Sequence, residues 1–172
     1  MTLVRAWILA AGPPDPLRQV LGHLLGRDPA ALEFERGPAG RPELSGRPLR
    51  FSLAHSAGLA LVAVTERADL GADLERIEAR PAEPPSAERY FAPAERASLE
   101  ALSGEARRRL FFDLWTQKEA YRKATGEGVT AGIGELDWAG WTLLRPVVPS
   151  GYAAAIAVRA PDAELRLEPW PR

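Results

Sequence analysis

The stretch Leu110 to Gly128, LFFDLWTQKEAYRKATGEG, constrains the chain most, because helix periodicity, a helix stop and chemically costly residues coincide in it. Wound as a helix, it stacks Leu110, Leu114, Gln117, Tyr121 and Ala124 on one face, with Trp115, Glu119 and Lys123 along the adjoining edge. Gly126 and Gly128 supply the left-handed backbone on which such a helix ends, and β-branched Val129 and Thr130 follow. The chain holds 22 basic residues, and Lys118 and Lys123 are its only lysines; all the others are arginine. Arginine keeps its proton in a protein, whereas lysine can be tuned to release one, so two neighbouring lysines point to proton donation or to point-charge contact with a phosphate. The plainer alternative is an exposed Glu119–Lys123 pair, worth ~0.2–0.5 kcal/mol to an isolated helix. This stretch alone leaves both open.

Length and charge narrow the classes. At 172 residues the chain has room for one domain or two small lobes around a sizeable core. A net charge of −1 argues against a nonspecific nucleic-acid binder, which needs a basic surface. The absence of cysteine excludes disulfides, thiol nucleophiles and thiolate metal sites. The apolar run Ala6 to Ala11 is short for a signal-peptide core and is expected to belong to a first strand. No stretch has the apolar length of a membrane span, so a cytoplasmic protein is expected.

In chain order, Leu3 to Leu9 reads as a strand, Gly12 to Pro16 as a turn that caps a helix, and Leu17 to Leu25 as that helix. Ala31 to Arg36 reads as a strand and Gly37 to Pro48 as a loop, in which Pro42 stiffens the backbone around Arg41. Leu49 to Ser56 and Leu59 to Thr65 form an expected hairpin with His55 near its bend, where a histidine can reach a ligand. Leu70 to Glu75 is a strand whose period of two sets Asp73 and Glu75 on one face and Leu70, Ala72 and Leu74 on the other. Two carboxylates on one side of a half-buried strand repel unless a positive group stands between them, and a hard divalent cation would serve. A solvated acidic face is the alternative. Glu75 to Pro85 reads as a loop, Ser86 to Phe91 and Pro93 to Leu102 as short helices, and the main helix is expected to begin at Arg107. Gly134 to Leu144 and Gly151 to Val158 read as strands of a second sheet, to which the tail adds another.

Taken in order, Gly40-Arg41-Pro42, Phe51-Ser52-Leu53-Ala54-His55-Ser56, Leu70-Gly71-Ala72-Asp73-Leu74-Glu75 and Trp115-Thr116-Gln117-Lys118-Glu119-Ala120-Tyr121-Arg122-Lys123, with Gly126-x-Gly128, resemble the motifs of the Sfp-type 4′-phosphopantetheinyl transferases. The small trimeric holo-acyl-carrier-protein synthases share the last two motifs but not the preceding half with its histidine. Three positions depart from the family pattern: Ser52 replaces a common asparagine, Ala54 a serine and Arg41 a lysine.

The resemblance implies an α+β fold of two similar lobes in one chain, each a small antiparallel sheet on a long helix. The lobes would be residues 1–66 and 67–172, meeting near Thr65 to Asp69, with the active site in the cleft between them. It implies transfer of phosphopantetheine from coenzyme A, the co-substrate, to a serine of an apo acyl or peptidyl carrier protein, releasing 3′,5′-ADP. Asp73, Glu75 and Glu119 would hold Mg²⁺, with Mn²⁺ as the alternative ion; Glu119 would act as base, and Lys123 would neutralise or protonate the leaving phosphate. Lys118 would also contact phosphate, and Arg41, His55 and Ser56 would bind the 3′-phosphate or adenosine part. Arg76, Arg80, Arg89, Phe91 and Arg107 to Arg109 are candidates for carrier docking by position, and a monomer is expected. Two other classes stay open: a module that binds coenzyme A or a carrier without turnover, and another Mg²⁺-dependent phosphoester enzyme.

Overall fold

A computed structural model of the protein describes residues 1–37, 40–78, 90–126 and 136–170. Strand β1 (Thr2–Ala10) leads into helix α1 (Pro16–Leu25), whose start is set by Pro16 and by the Asp15 carboxylate, which accepts from the Leu17 and Arg18 amides. The expected strand from Ala31 is shorter: Asp28 and Pro29 initiate a single 3-10 turn over Pro29–Ala31, and β2 covers only Phe34–Arg36. The expected loop beyond it contains β3 (Pro42–Leu44), paired antiparallel with β2. The hairpin β4 (Arg50–Ser56) and β5 (Leu59–Thr65) turns at Ala57 and Gly58, both at positive φ. Then follow β6 (Leu70–Arg76), α2 (Pro93–Glu100), α3 (Gly104–Thr125), β7 (Thr142–Leu144), β8 (Tyr152–Val158) and β9 (Ala163–Leu167). Helix α3 starts at Gly104 rather than Arg107, and it stops where expected, at Gly126 in left-handed backbone. The second stop residue, Gly128, and most of the expected helix Ser86 to Phe91 fall outside the described residues.

The mixed α+β architecture has a four-stranded sheet ordered β4-β5-β1-β9, a three-stranded sheet β6-β8-β7 and the β2-β3 ribbon. The tail strand β9 does not extend the second sheet, as expected from sequence, but pairs parallel with β1, Thr2 opposite Ala163. One face of the first sheet packs on α1, only 10 residues long, through Trp7, Leu17, Val20, Leu21 and Val62. Its other face shares a core with the second sheet: Val4, Ala6 and Leu61 lie in one cluster with Leu70, Leu74, Ile156 and Val158. Leu70, Ala72 and Leu74 thus pack behind Asp73 and Glu75, as their alternation predicts.

Two serine hydroxyls bridge β4 to β6, which belong to different sheets. The Ala72 amide donates to Ser52 Oγ at 2.9 Å and the Arg76 amide to Ser56 Oγ at 3.0 Å. On the opposite face of the second sheet lies α3, 22 residues long. Of the expected face of Leu110, Leu114, Gln117, Tyr121 and Ala124 only Ala124 is in the innermost stripe, which it forms with Phe112, Thr116 and Ala120. Small residues face small residues there, Ala120 and Ala124 against Ala155 and Ala157, which lets helix and sheet approach closely. Among the described residues no helix is long and apolar enough to cross a membrane.

Candidate active site

Strand β6 and helix α3 bring the carboxylates and the bases together. Gly71 makes this possible, because a Cβ there would collide with the Ala120 carbonyl oxygen and the Ala124 amide nitrogen of α3. With the helix this close, Lys123 Nζ donates to Asp73 Oδ1 at 2.7 Å across the interface. Asp73 is 5% exposed, and its second oxygen, Oδ2, is buried without a hydrogen-bond partner. Burial pushes its carboxyl up to about 6 against the opposing pull of Lys123, and the nearby charges of Glu75 and Glu119 push the same way. Glu75 is half-buried and also raised, chiefly by burial, while Ser56 Oγ donates to its Oε2 at 3.1 Å. Glu119 accepts from Arg122 Nη1 at 2.7 Å.

A cleft of about 450 Å³ opens beside these groups. Leu17, Arg41, Pro42, Phe51, Ser52 and Leu53 line one side; Glu119, Arg122, Lys123 and Gly126 of α3 line the other. Arg41 spans the two sides, donating from Nη1 to the Ala124 carbonyl at 3.1 Å and from Nη2 to the Leu70 carbonyl at 3.0 Å. It therefore ties the C-terminal end of α3 to the start of β6 rather than standing free for an anion. His55 is exposed and shares the Phe51 and Leu53 face of β4.

The other expected phosphate contact, Lys118, lies elsewhere. It is 2% exposed, and its Nζ stands 2.9 Å from Glu95 Oε2, which also accepts from the Ala92 amide at the start of α2. Lys118 thus anchors α2 on α3 through a buried ion pair. Phe91, considered for carrier docking, is 3% exposed and packs edge-on against Phe111; Arg80 and Arg89 lie outside the described residues. Arg122 escaped attention in the sequence, although its spacing of three from Glu119 on a helix was the available signal. It is 7% exposed, lines the cleft, and has a buried Nε without a partner.

The donor chemistry suits a hard divalent cation: three interacting carboxylates, one with an orphaned buried oxygen that is costly to leave unmet. Among the described residues no three such groups form a ready-made metal cage; Glu75 and Glu119 each have one oxygen engaged, by Ser56 and Arg122.

A family model described as the 4′-phosphopantetheinyl transferase superfamily matches residues 69–164, which carry Asp73, Glu75, Glu119, Arg122 and Lys123. The chain belongs to this superfamily. The 4′-phosphopantetheinyl transferase HetI of Nostoc is 36% identical over 159 residues, covering 83% of this chain and 67% of HetI. The Synechocystis protein slr0495, provisionally named a 4′-phosphopantetheinyl transferase, is 41% identical over 123 residues, 70% of this chain and 50% of that protein. The Bacillus subtilis 4′-phosphopantetheinyl transferase is 29% identical over 115 residues, 66% of this chain and 50% of that protein. The matches thus span half to two thirds of the length of these transferases. The superfamily match takes in the β6 carboxylates and the basic residues of α3 and leaves out Arg41 and Ser52, which line the far side of the cleft, and His55 and Ser56 further along β4.

Proposed function

We propose that this chain transfers the 4′-phosphopantetheine arm of coenzyme A to a serine of an apo acyl or peptidyl carrier protein, releasing 3′,5′-ADP, in a Mg²⁺-dependent reaction. The observation that carries the proposal is the pairing of buried Asp73, with its orphaned carboxylate oxygen, and half-buried Lys123, beside a cleft lined by Glu119, Arg122 and Lys123. Acidic oxygens for a cation and basic groups for phosphates stand side by side, which is what cleavage of a pyrophosphate ester needs. Membership of the superfamily supports the same chemistry.

On this reading the first sheet with α1 and the second sheet with α3 are two lobes, residues 1–66 and 67–172. Arg41 holds them together, and the chain acts as a monomer. Asp73, Glu75 and Glu119 would hold the divalent cation, which when bound supplies charge neutralisation to the pyrophosphate. Glu119 takes the proton from the carrier serine as its oxygen bonds to the phosphorus bearing the pantetheine arm. The bond from that phosphorus to the leaving 3′,5′-ADP oxygen breaks, and Lys123 gives that oxygen its proton. The apolar wall of Leu17, Phe51 and Leu53 shelters the adenosine end, with the exposed His55 toward its 3′-phosphate and Arg41 holding the two walls of the cleft together. Ser56 acts through Glu75, to which its hydroxyl donates. The exposed Arg76, Arg107 and Arg109 offer a basic docking surface to an acidic carrier in fatty-acid, polyketide or nonribosomal-peptide synthesis.

The test is incubation with Mg²⁺, coenzyme A and several apo carrier proteins, read as intact mass. A carrier heavier by one phosphopantetheine arm is expected. No mass gain on any carrier, under conditions where an established transferase modifies the same preparations, would refute the proposal.

A further inference from the structure

The two ion pairs at the cleft are incomplete in complementary ways. Lys123 covers one oxygen of Asp73 and leaves Oδ2 buried and unmet, an acceptor in want of a cation. Arg122 covers Glu119 Oε1 and leaves its own Nε buried and unmet, a donor in want of an anion. Both bases come from the last turns of α3, and both line the same cleft as Glu119. One divalent cation carries the same positive charge that Lys123 and Arg122 now present to the two carboxylates, so a swap leaves the local charge balance unchanged.

We propose that the cation and the phosphate-bearing substrate bind cooperatively through an exchange of ion-pair partners. In the cation-free protein Lys123 and Arg122 occupy Asp73 and Glu119; a divalent cation on those carboxylates displaces both bases toward the anion in the cleft. This rests on the function proposed above and adds to it that Lys123 competes with the metal before it serves the phosphate.

Three physical facts favour the exchange. A cation beside Asp73 and the Lys123 ammonium repel one another at low local dielectric, so both cannot hold the carboxylate at full strength. Lys123 can leave: its side chain is 37% exposed, against 7% for that of Asp73, and its flexible stem ends in a compact charge. By linkage, whatever the cation does for the anion's affinity the anion does equally for the cation's.

The experiment titrates Mn²⁺ into the full chain by electron paramagnetic resonance, without a carrier protein and with or without coenzyme A. Removing the competitor in Lys123→Met should tighten Mn²⁺ binding without coenzyme A on the order of tenfold, a typical coupling between sites. The same variant should bind coenzyme A more weakly and lose most of the mutual enhancement. Lys123→Arg, which keeps the charge on Asp73, should bind Mn²⁺ no more tightly than wild type, which separates charge from folding. Unchanged or weaker Mn²⁺ binding by Lys123→Met overturns the exchange, and so does tightening by Lys123→Arg equal to that by Lys123→Met. Neither result touches the carrier mass gain of the wild type, so the exchange and the transferase function fail separately.

Discussion

Replacing Gly71 with alanine would test whether close packing of α3 on β6 builds the site. The added Cβ would lie 2.8 Å from Lys123 Cβ and nearer still to the Ala120 carbonyl oxygen and the Ala124 amide nitrogen. Non-bonded carbons prefer roughly 3.5–4.0 Å, and two of these three neighbours are backbone atoms that no rotamer change can move, so α3 must retreat by about 1 Å or more. Overpacking of this kind costs about 1–3 kcal/mol, offset by ~0.4–1 kcal/mol because alanine reduces the entropy of the unfolded chain. The retreat also stretches the 2.7 Å Lys123–Asp73 contact and the 3.1 Å bond from Arg41 to Ala124 out of hydrogen-bond range. Urea unfolding of Gly71→Ala should show a net loss of about 1–2 kcal/mol. Carrier modification, measured where the variant is still folded, should fall by ~10²-fold or more, because misplacement on the ångström scale is that costly to catalysis. A variant that unfolds at the wild-type urea midpoint and modifies carriers at the wild-type rate would refute the argument.

The other predictions concern charge. Glu119→Gln should remove carrier modification and also lower the urea midpoint, since the neutral amide can still accept from Arg122 but leaves that buried guanidinium without its counter-charge; substantial turnover by the folded variant would exclude Glu119 as base. Lys123→Arg keeps the charge and should lose much of the rate, because arginine holds its proton; wild-type turnover would exclude proton donation by Lys123. The Asp73 carboxyl, raised to about 6 in the folded state, binds its proton more tightly there than in the unfolded chain. Its contribution to stability is therefore full below the unfolded value and is lost as pH rises from about 4 to about 6, by roughly 3 kcal/mol at most. In metal-free buffer Asp73→Asn should accordingly be more stable than wild type above pH ~6, and that advantage should shrink toward pH ~4. A stability difference that is flat with pH across this window would contradict an Asp73 carboxyl raised by burial beyond the opposing pull of Lys123.

Local signals carried β1, the β4–β5 hairpin, β6 and β8 and the C-terminal end of α3, but not the start of α3 or the short strands β2, β3 and β7. Alternation in Leu70 to Glu75 placed Asp73 and Glu75 opposite the core side, and Gly126 marked the end of α3. The hairpin bend fell between Ser56 and Leu59, where Ala57 and Gly58 take positive φ. What sequence could not show was partner choice. The inner stripe of α3 is set by the alanines of β8 and by Gly71, so Thr116 and Ala120 displace the larger Leu110 and Leu114 from the closest contact. Lys118 and Arg122 look solvent-facing by residue type, yet both are buried, because Glu95 and Glu119 neutralise them. Arg41 looked like an anion contact because the two carbonyls it joins, Leu70 and Ala124, are far apart along the chain. The return of β9 to β1 is likewise a long-range pairing that no local pattern encodes. The family motifs named the carboxylates and basic residues that β6 and α3 bring together; the bonds that hold them in place became visible only in three dimensions.

The central claim is that Asp73, Glu75 and Glu119 serve a single cation at this cleft. Crystals grown with Mn²⁺ and coenzyme A, measured for anomalous scattering, test it most directly. The account predicts one peak within coordinating reach of all three carboxylates, with Lys123 moved from Asp73 to a phosphate oxygen. A peak elsewhere on the protein, or one out of reach of any of the three carboxylates, would contradict it.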